Sequence, residues 1–116
     1  AAGSVVAVWA EVASDGLRAE VWLGFAEGVL REDVELEVND HRVRVRMISA
    51  RCGHIPSQWY DAAFPAPIRS ADASARWRRR WPAALAASSS VPAEAPGGGS
   101  ALALQVSAPL AGARKK

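Results

Sequence analysis

Cysteine is nearly absent from these 116 residues, with Cys52 standing alone. A single thiol excludes an internal disulfide framework and fits a reducing compartment. No apolar run approaches the length of about 18 residues that a membrane helix requires. The start of the chain has neither the basic residues nor the apolar block of a secretory signal. It does not open on methionine, as expected of a fragment or a processed form. Net charge is also scarce: fourteen basic and twelve acidic residues leave +2, too little for whole-molecule steering. What is present is a bias towards arginine and alanine, with both lysines at the very end and 25 alanines in all. GC-rich coding explains such a bias as readily as physics does. Half the residues are hydrophobic and 22% are charged, which excludes wholesale disorder. The length predicts one domain that buries roughly two thirds of its unfolded surface without a covalent staple.

Helical periodicity is missing as well. No stretch keeps apolar residues at i, i+3, i+4 and i+7 over three turns, whereas period-two alternation recurs. Residues 5–13 are apolar except for Glu11 and predict a strand buried on both faces. Ser14, Asp15 and Gly16 signal a turn. Leu17, Ala19, Val21 and Leu23 then alternate with Arg18, Glu20 and Trp22, and Gly24 and Gly28 are expected to break that strand. The clearest pattern spans residues 33–47. Val34, Leu36 and Val38 alternate with Asp33, Glu35 and Glu37, and Val43, Val45 and Met47 alternate with Arg42, Arg44 and Arg46. A two-residue hairpin at Asn39-Asp40 would oppose Asp33 to Arg46, Glu35 to Arg44 and Glu37 to Arg42. Apolar side chains then share one face and charge pairs the other, an arrangement that a one-residue slip would destroy.

Residues 51–58 read as loop, interrupted by Gly53 and Pro56. Residues 59–64 predict a short strand ended by Pro65 and Pro67, and residues 73–78 another. Residues 82–100 are a low-complexity run of Ala, Ser, Pro and Gly that cannot bury enough apolar surface to balance its ordering entropy, a brief helical turn at 83–87 apart. Alternation returns with Leu102, Leu104, Val106 and Ala108, and residues 111–116 form a basic tail. Seven short strands and almost no helix predict an all-β fold, a seven-stranded antiparallel β-sandwich formed by residues 1–116 as a single domain with a loop insertion at 82–100.

Residues 15–21 (Asp-Gly-Leu-Arg-Ala-Glu-Val) and 32–38 (Glu-Asp-Val-Glu-Leu-Glu-Val) resemble the first half of a CS domain, a sandwich shared with co-chaperones and small heat-shock proteins. Tyr60, Phe64, Pro67-Ile68, Ala73, Ala75 and Trp77 resemble the closing half of the CS-like domain of PIH proteins. There a tyrosine-bearing strand, a Pro-Val-type turn and an Ala-x-aromatic strand precede a final Leu-x-Val-x-x-Pro strand, to which residues 104–109 are similar. Gly24-Phe25 departs from the family's Leu-Pro pair, and Arg69 from its acidic residue. The resemblance covers residues 4–110. It implies a cytoplasmic, cofactor-free adaptor that docks on heat-shock protein 90 machinery and its tetratricopeptide co-chaperones, and that helps assemble complexes such as axonemal dynein arms. The PIH domain that reads phosphorylated acidic peptides is not in this chain.

Catalysis finds little support in the residues themselves. Ser88-Ser89-Ser90 has no fixed base beside it. Asp33, Glu35 and Glu37 are spoken for by arginines rather than arranged as an acid–base pair. Cys52, His54 and His41 fall short of the four ligands of a structural zinc site, and a loop cysteine with solvated histidines is the simpler account. No phosphate-binding glycine motif occurs. The sharpest local signal is Arg76-Trp77-Arg78-Arg79-Arg80-Trp81. Three accounts compete for it: a strand with Trp77 in the core and solvated arginines, a receptor for acidic protein segments, and a nucleic-acid grip. Trp59, Arg76, Arg78, Arg79, Arg80 and Trp81 are the candidate partner-binding residues. At least one of Trp22, Trp59 and Trp81 is expected to be exposed or covered by a partner, packing under loops being the alternative.

Overall fold

The period-two segments form strands, and the strands form two antiparallel sheets. A computed structural model describes residues 5–26, 28–48, 58–87 and 102–112. In chain order the elements are β1 (Val5–Val12), β2 (Arg18–Phe25), β3 (Val34–Val38), β4 (Arg42–Met47), β5 (Tyr60–Ala63), β6 (Ser74–Arg78), the short helix α1 (Ala83–Ala87) and β7 (Ala103–Pro109). Single 3-10 turns at Arg31–Asp33 and Ser70–Asp72 lead into β3 and β6. One sheet has four strands in the order β1-β2-β7-β6, and the other has three in the order β3-β4-β5.

The first hairpin follows from its turn residues. Gly16 adopts φ +72°, the left-handed region that costs glycine least. Asp15 accepts the Leu17 N–H at 2.9 Å, and Ala13 N–H closes the loop on Arg18 O at 2.8 Å. Alternation then turns Ala19, Val21, Leu23 and Phe25 inward from β2, with Leu104, Val106 and Ala108 inward from β7. These seven side chains are buried in one cluster with Val43, Val45, Ala62, Phe64 and Ile68, so a single core draws on both sheets. Burial of this kind, at about 25 cal/mol per Å² of apolar surface, is the main stabilising term.

The charged hairpin keeps its expected faces but not its expected pairing. Val34 opposes Met47, Glu35 opposes Arg46, Leu36 opposes Val45, and Glu37 opposes Arg44. The turn therefore sits at Asp40-His41, one residue later than Asn39-Asp40. The cause is the Asn39 side chain, whose Oδ1 accepts the N–H groups of His41 and Arg42 at 2.8 and 2.9 Å. Asparagine at the first position of a turn is favoured for this bond. The turn is also tied down from outside. Asp40 O accepts Ile68 N–H at 2.8 Å, and His41 O accepts Phe64 N–H at 2.9 Å. Moving the turn by one residue changes each pairing by two positions, which preserves which side chains share a face.

Three further expectations change, the first in β1, which is an edge strand exposed from Ala10 to Val12 rather than a strand buried on both faces. Gly24 does not end β2, which runs through it to Phe25. The helical turn expected at 83–87 is present as α1, but Leu85 on it is fully buried, so the start of the low-complexity run does contribute apolar packing.

Candidate functional site

β6 is the last strand of its sheet, paired with β7 on one side: Ser74 opposes Ser107, Arg76 opposes Gln105, and Arg78 opposes Ala103. Among the described residues no strand pairs with its other side. Strand alternation then separates the Arg/Trp run by face. Trp77 packs on the core, its ring 5.7 Å from that of Phe25 and tilted by 33°. Arg76 and Arg78 are exposed, as are Arg79 and Arg80 in the bend that follows. The core-facing Trp77 agrees with the structural account of this run.

The outer face of the four-stranded sheet has two halves. Across β1, β2, β7 and β6 one row reads Trp9, Trp22, Gln105, Arg76, and the next reads Ala7, Gly24, Ala103, Arg78. Three small residues in the second row leave a depression. Leu85 of α1 and the Trp81 indole fill it, packing with Ala7, Ala103, Trp9 and Trp22 as a second buried cluster. Trp81 is held by an Nε1–H bond to Leu102 O at 2.8 Å. A Cβ built on Gly24 would stand 2.7 Å from Trp81 Cζ2, so glycine here makes room for an indole ring. The other half of the face is polar. Glu20 accepts the Trp22 indole N–H and the Gln105 amide, each at 3.3 Å, and Arg18 donates to Ser107 at 3.1 Å. Arg18, Glu20, Ser74, Arg76, Gln105 and Ser107 line a shallow groove of about 230 Å³ that reaches the β6 edge.

Trp59 does not join the Arg76–Trp81 group. It precedes β5 in the other sheet, where the guanidinium groups of Arg44 and Arg46 lie over its ring at 4.9 and 4.5 Å. Trp22, Trp59 and Trp81 are all half-buried, each with a contact inside the chain.

The two arginine rows differ in electrostatics. Arg46 pairs with Glu35 at 2.7 Å, Arg44 with Asp61 at 2.9 Å and Glu37 at 3.1 Å, and Arg42 with Asp61 at 3.4 Å. The hydrogen bond that Arg44 donates to the Asp61 carboxylate is the main reason that Arg44 is held above its ordinary pKa. Arg76, Arg78, Arg79 and Arg80 have no carboxylate partner among the described residues, although Arg78 lies over the Trp22 ring at 5.9 Å. The sequence pattern anticipates this difference: acidic residues alternate opposite Arg42–Arg46, and none accompanies residues 76–80.

No group of acidic, histidine or cysteine side chains among the described residues could hold a metal ion. Cys52, His54 and Ser88–Ser90 lie outside those residues. A cleft of about 410 Å³ between the β3–β4 turn and the end of β5 is lined by His41, Arg42, Asp61, Phe64, Pro65 and Pro67, with Arg42 and Asp61 already paired to each other. Among the described residues, no helix is long and apolar enough to cross a membrane. Comparison with known proteins identifies no relative: no family model, curated protein or solved structure matches the chain.

Proposed function

We propose that the chain is a CS-like β-sandwich of the PIH type and acts as a non-enzymatic co-chaperone adaptor. Its partners on this reading are heat-shock protein 90 machinery and tetratricopeptide co-chaperones, and its setting is the cytoplasmic assembly of large complexes such as axonemal dynein arms. The observation that carries the reading is the place of β7. The segment likened to the family's closing Leu-x-Val-x-x-Pro element follows the low-complexity run, yet it pairs with β2 on one side and β6 on the other. Leu104, Val106 and Ala108 on it are fully buried. A linker would show neither pairing nor burial.

The binding half of the reading is supported by the exposed arginines on and after β6, which have no carboxylate partner among the described residues, since a solvated cationic strip at a sheet edge suits acidic protein segments. A nucleic-acid grip would use the same arginines but needs open aromatic faces for stacking. Trp77 is turned to the core, and Trp81 is engaged by Gly24 and Leu102.

The test is capture of purified heat-shock protein 90 and a tetratricopeptide co-chaperone, singly and together, by the immobilised chain. Saturable binding is expected. Absence of binding by protein whose circular dichroism shows intact sheet refutes the adaptor function.

A further inference from the structure

The open side of β6 is the strongest unassigned feature. Its five residues are exposed except for half-buried Trp77. It ends one sheet, and among the described residues no strand pairs with its outer side. An unpaired edge is a template for another strand, and proteins protect such edges with charge. Here the charge also sets which strand can add. Arg76 and Arg78 lie two residues apart on the outer face, with exposed Arg79 and Arg80 following. A second copy pairing antiparallel about Arg76 would place arginine against arginine, which is destabilising. A strand with acidic residues at alternate positions would instead place a carboxylate beside Arg76 and another beside Arg78. Its intervening residues would turn to the side of Ala75 and Trp77, where an apolar side chain extends the core-facing layer.

We infer that the free edge of β6 binds, by strand addition, an extended segment of a partner protein in which acidic and apolar residues alternate. Resting on the adaptor reading, this names the chemistry of the segment that the adaptor receives. Backbone bonds along the edge supply affinity, and the arginine spacing selects sequence and register.

The probe is a fluorescein-labelled peptide of alternating glutamate and valine, matched in length to β6 and titrated with the full chain by fluorescence anisotropy. Two N-methylated isomers carry the modification on alternate residues, one on the glutamates and one on the valines. Strand addition uses the N–H groups of only one set. Binding of the parent peptide, loss in one isomer and retention in the other is the expected result. The double variant Arg76→Glu/Arg78→Glu should weaken binding by about tenfold or more. Both positions are exposed and Arg78 loses only its contact with the Trp22 ring, so circular dichroism should still show the intact sheet.

Four results each overturn the inference: no binding of the parent peptide, equal binding of both isomers, equal binding of a peptide with its glutamates in one block, or tighter binding of a poly-uridine oligonucleotide than of the peptide. If the chain captures the chaperone machinery while the peptide fails, the edge proposal falls and the adaptor reading stands. If capture fails while the peptide binds as expected, the adaptor reading falls and the edge proposal stands.

Discussion

Gly24→Ala tests whether the outer-face cap is a packed part of the fold. The backbone at Gly24 does not require glycine, because among the described residues the positive-φ glycines are Gly16 and Gly28. The obstacle is Trp81, whose Cζ2 and Cε2 would lie 2.7 and 2.8 Å from the new Cβ. Reaching ordinary contact at about 3.4 Å requires the ring to move by roughly 0.7 Å. A rigid indole transmits that shift to Nε1, stretching its 2.8 Å bond to Leu102 O beyond useful length. Overpacking costs about 1–3 kcal/mol and a lost hydrogen bond about 1 kcal/mol, so destabilisation near 2 kcal/mol is expected. That corresponds to a fall in Tm on the order of 8 °C. In a Trp81→Ala background the methyl group meets no ring, and the same substitution should be neutral or stabilise by up to about 1 kcal/mol, since alanine loses less backbone entropy than glycine. Urea unfolding of the four proteins, followed by circular dichroism, measures the coupling. Equal effects of Gly24→Ala in both backgrounds would refute the packing argument.

Leu85→Ala should destabilise by about 2–3 kcal/mol, the lower part of the range for buried leucine because its cluster lies on an outer face; equilibrium urea unfolding checks this, and a change below about 0.5 kcal/mol contradicts it. Asp40 is held below the ordinary carboxylate pKa, first by the Ser70 hydroxyl at 2.7 Å and then by the Ser70 N–H at 3.1 Å. Its contribution to stability is therefore present above the unfolded-state value near 3.8 and is lost as pH falls through the lower folded value. Asp40→Asn should flatten the acid limb of stability against pH between about 2 and 5, and an unchanged limb counts against this origin. Alanine double-mutant cycles should give Glu35 and Arg46 a coupling of about 0.2–1 kcal/mol that falls with salt, and Glu35 with Arg44 almost none; the reverse would restore the earlier turn position.

The extent to which the sequence foretells this architecture varies with the range of the interaction involved. Each strand is legible because one neighbour in two faces the core, as in Ala19, Val21 and Leu23. The charged faces of β3 and β4 are legible for the same reason, since opposite charges alternate in step. The position of the turn is not, because Asn39-Asp40 and Asp40-His41 satisfy the same facial pattern. The choice depends on the Asn39 side chain and on bonds to residues 64–70, which no local pattern encodes. Gly24 misleads in a related way. A glycine inside an alternating run signals a break until its row mates Ala7 and Ala103 are known, and those come from register across three strands. Leu85 is hidden by the poverty of its surroundings: one leucine among alanines has no periodicity of its own. At the candidate site, Trp77 and the exposed arginines are legible from alternation, while the separation of Trp59 from them depends on which sheet each strand joins.

The central position of β7 dictates an order of events. Glu20 and Gln105, bonded side by side, are 85 residues apart in the chain. During synthesis from the N-terminus, β1 and β2 can pair early, but the flank of β2 stays open until the last strand emerges. β6, made earlier than its neighbour, has nothing to pair with in the meantime. Such late, long-range closure slows folding and prolongs the life of an aggregation-prone intermediate. A chain of this topology therefore carries open edges on both β2 and β6 until residues 103–109 have been made.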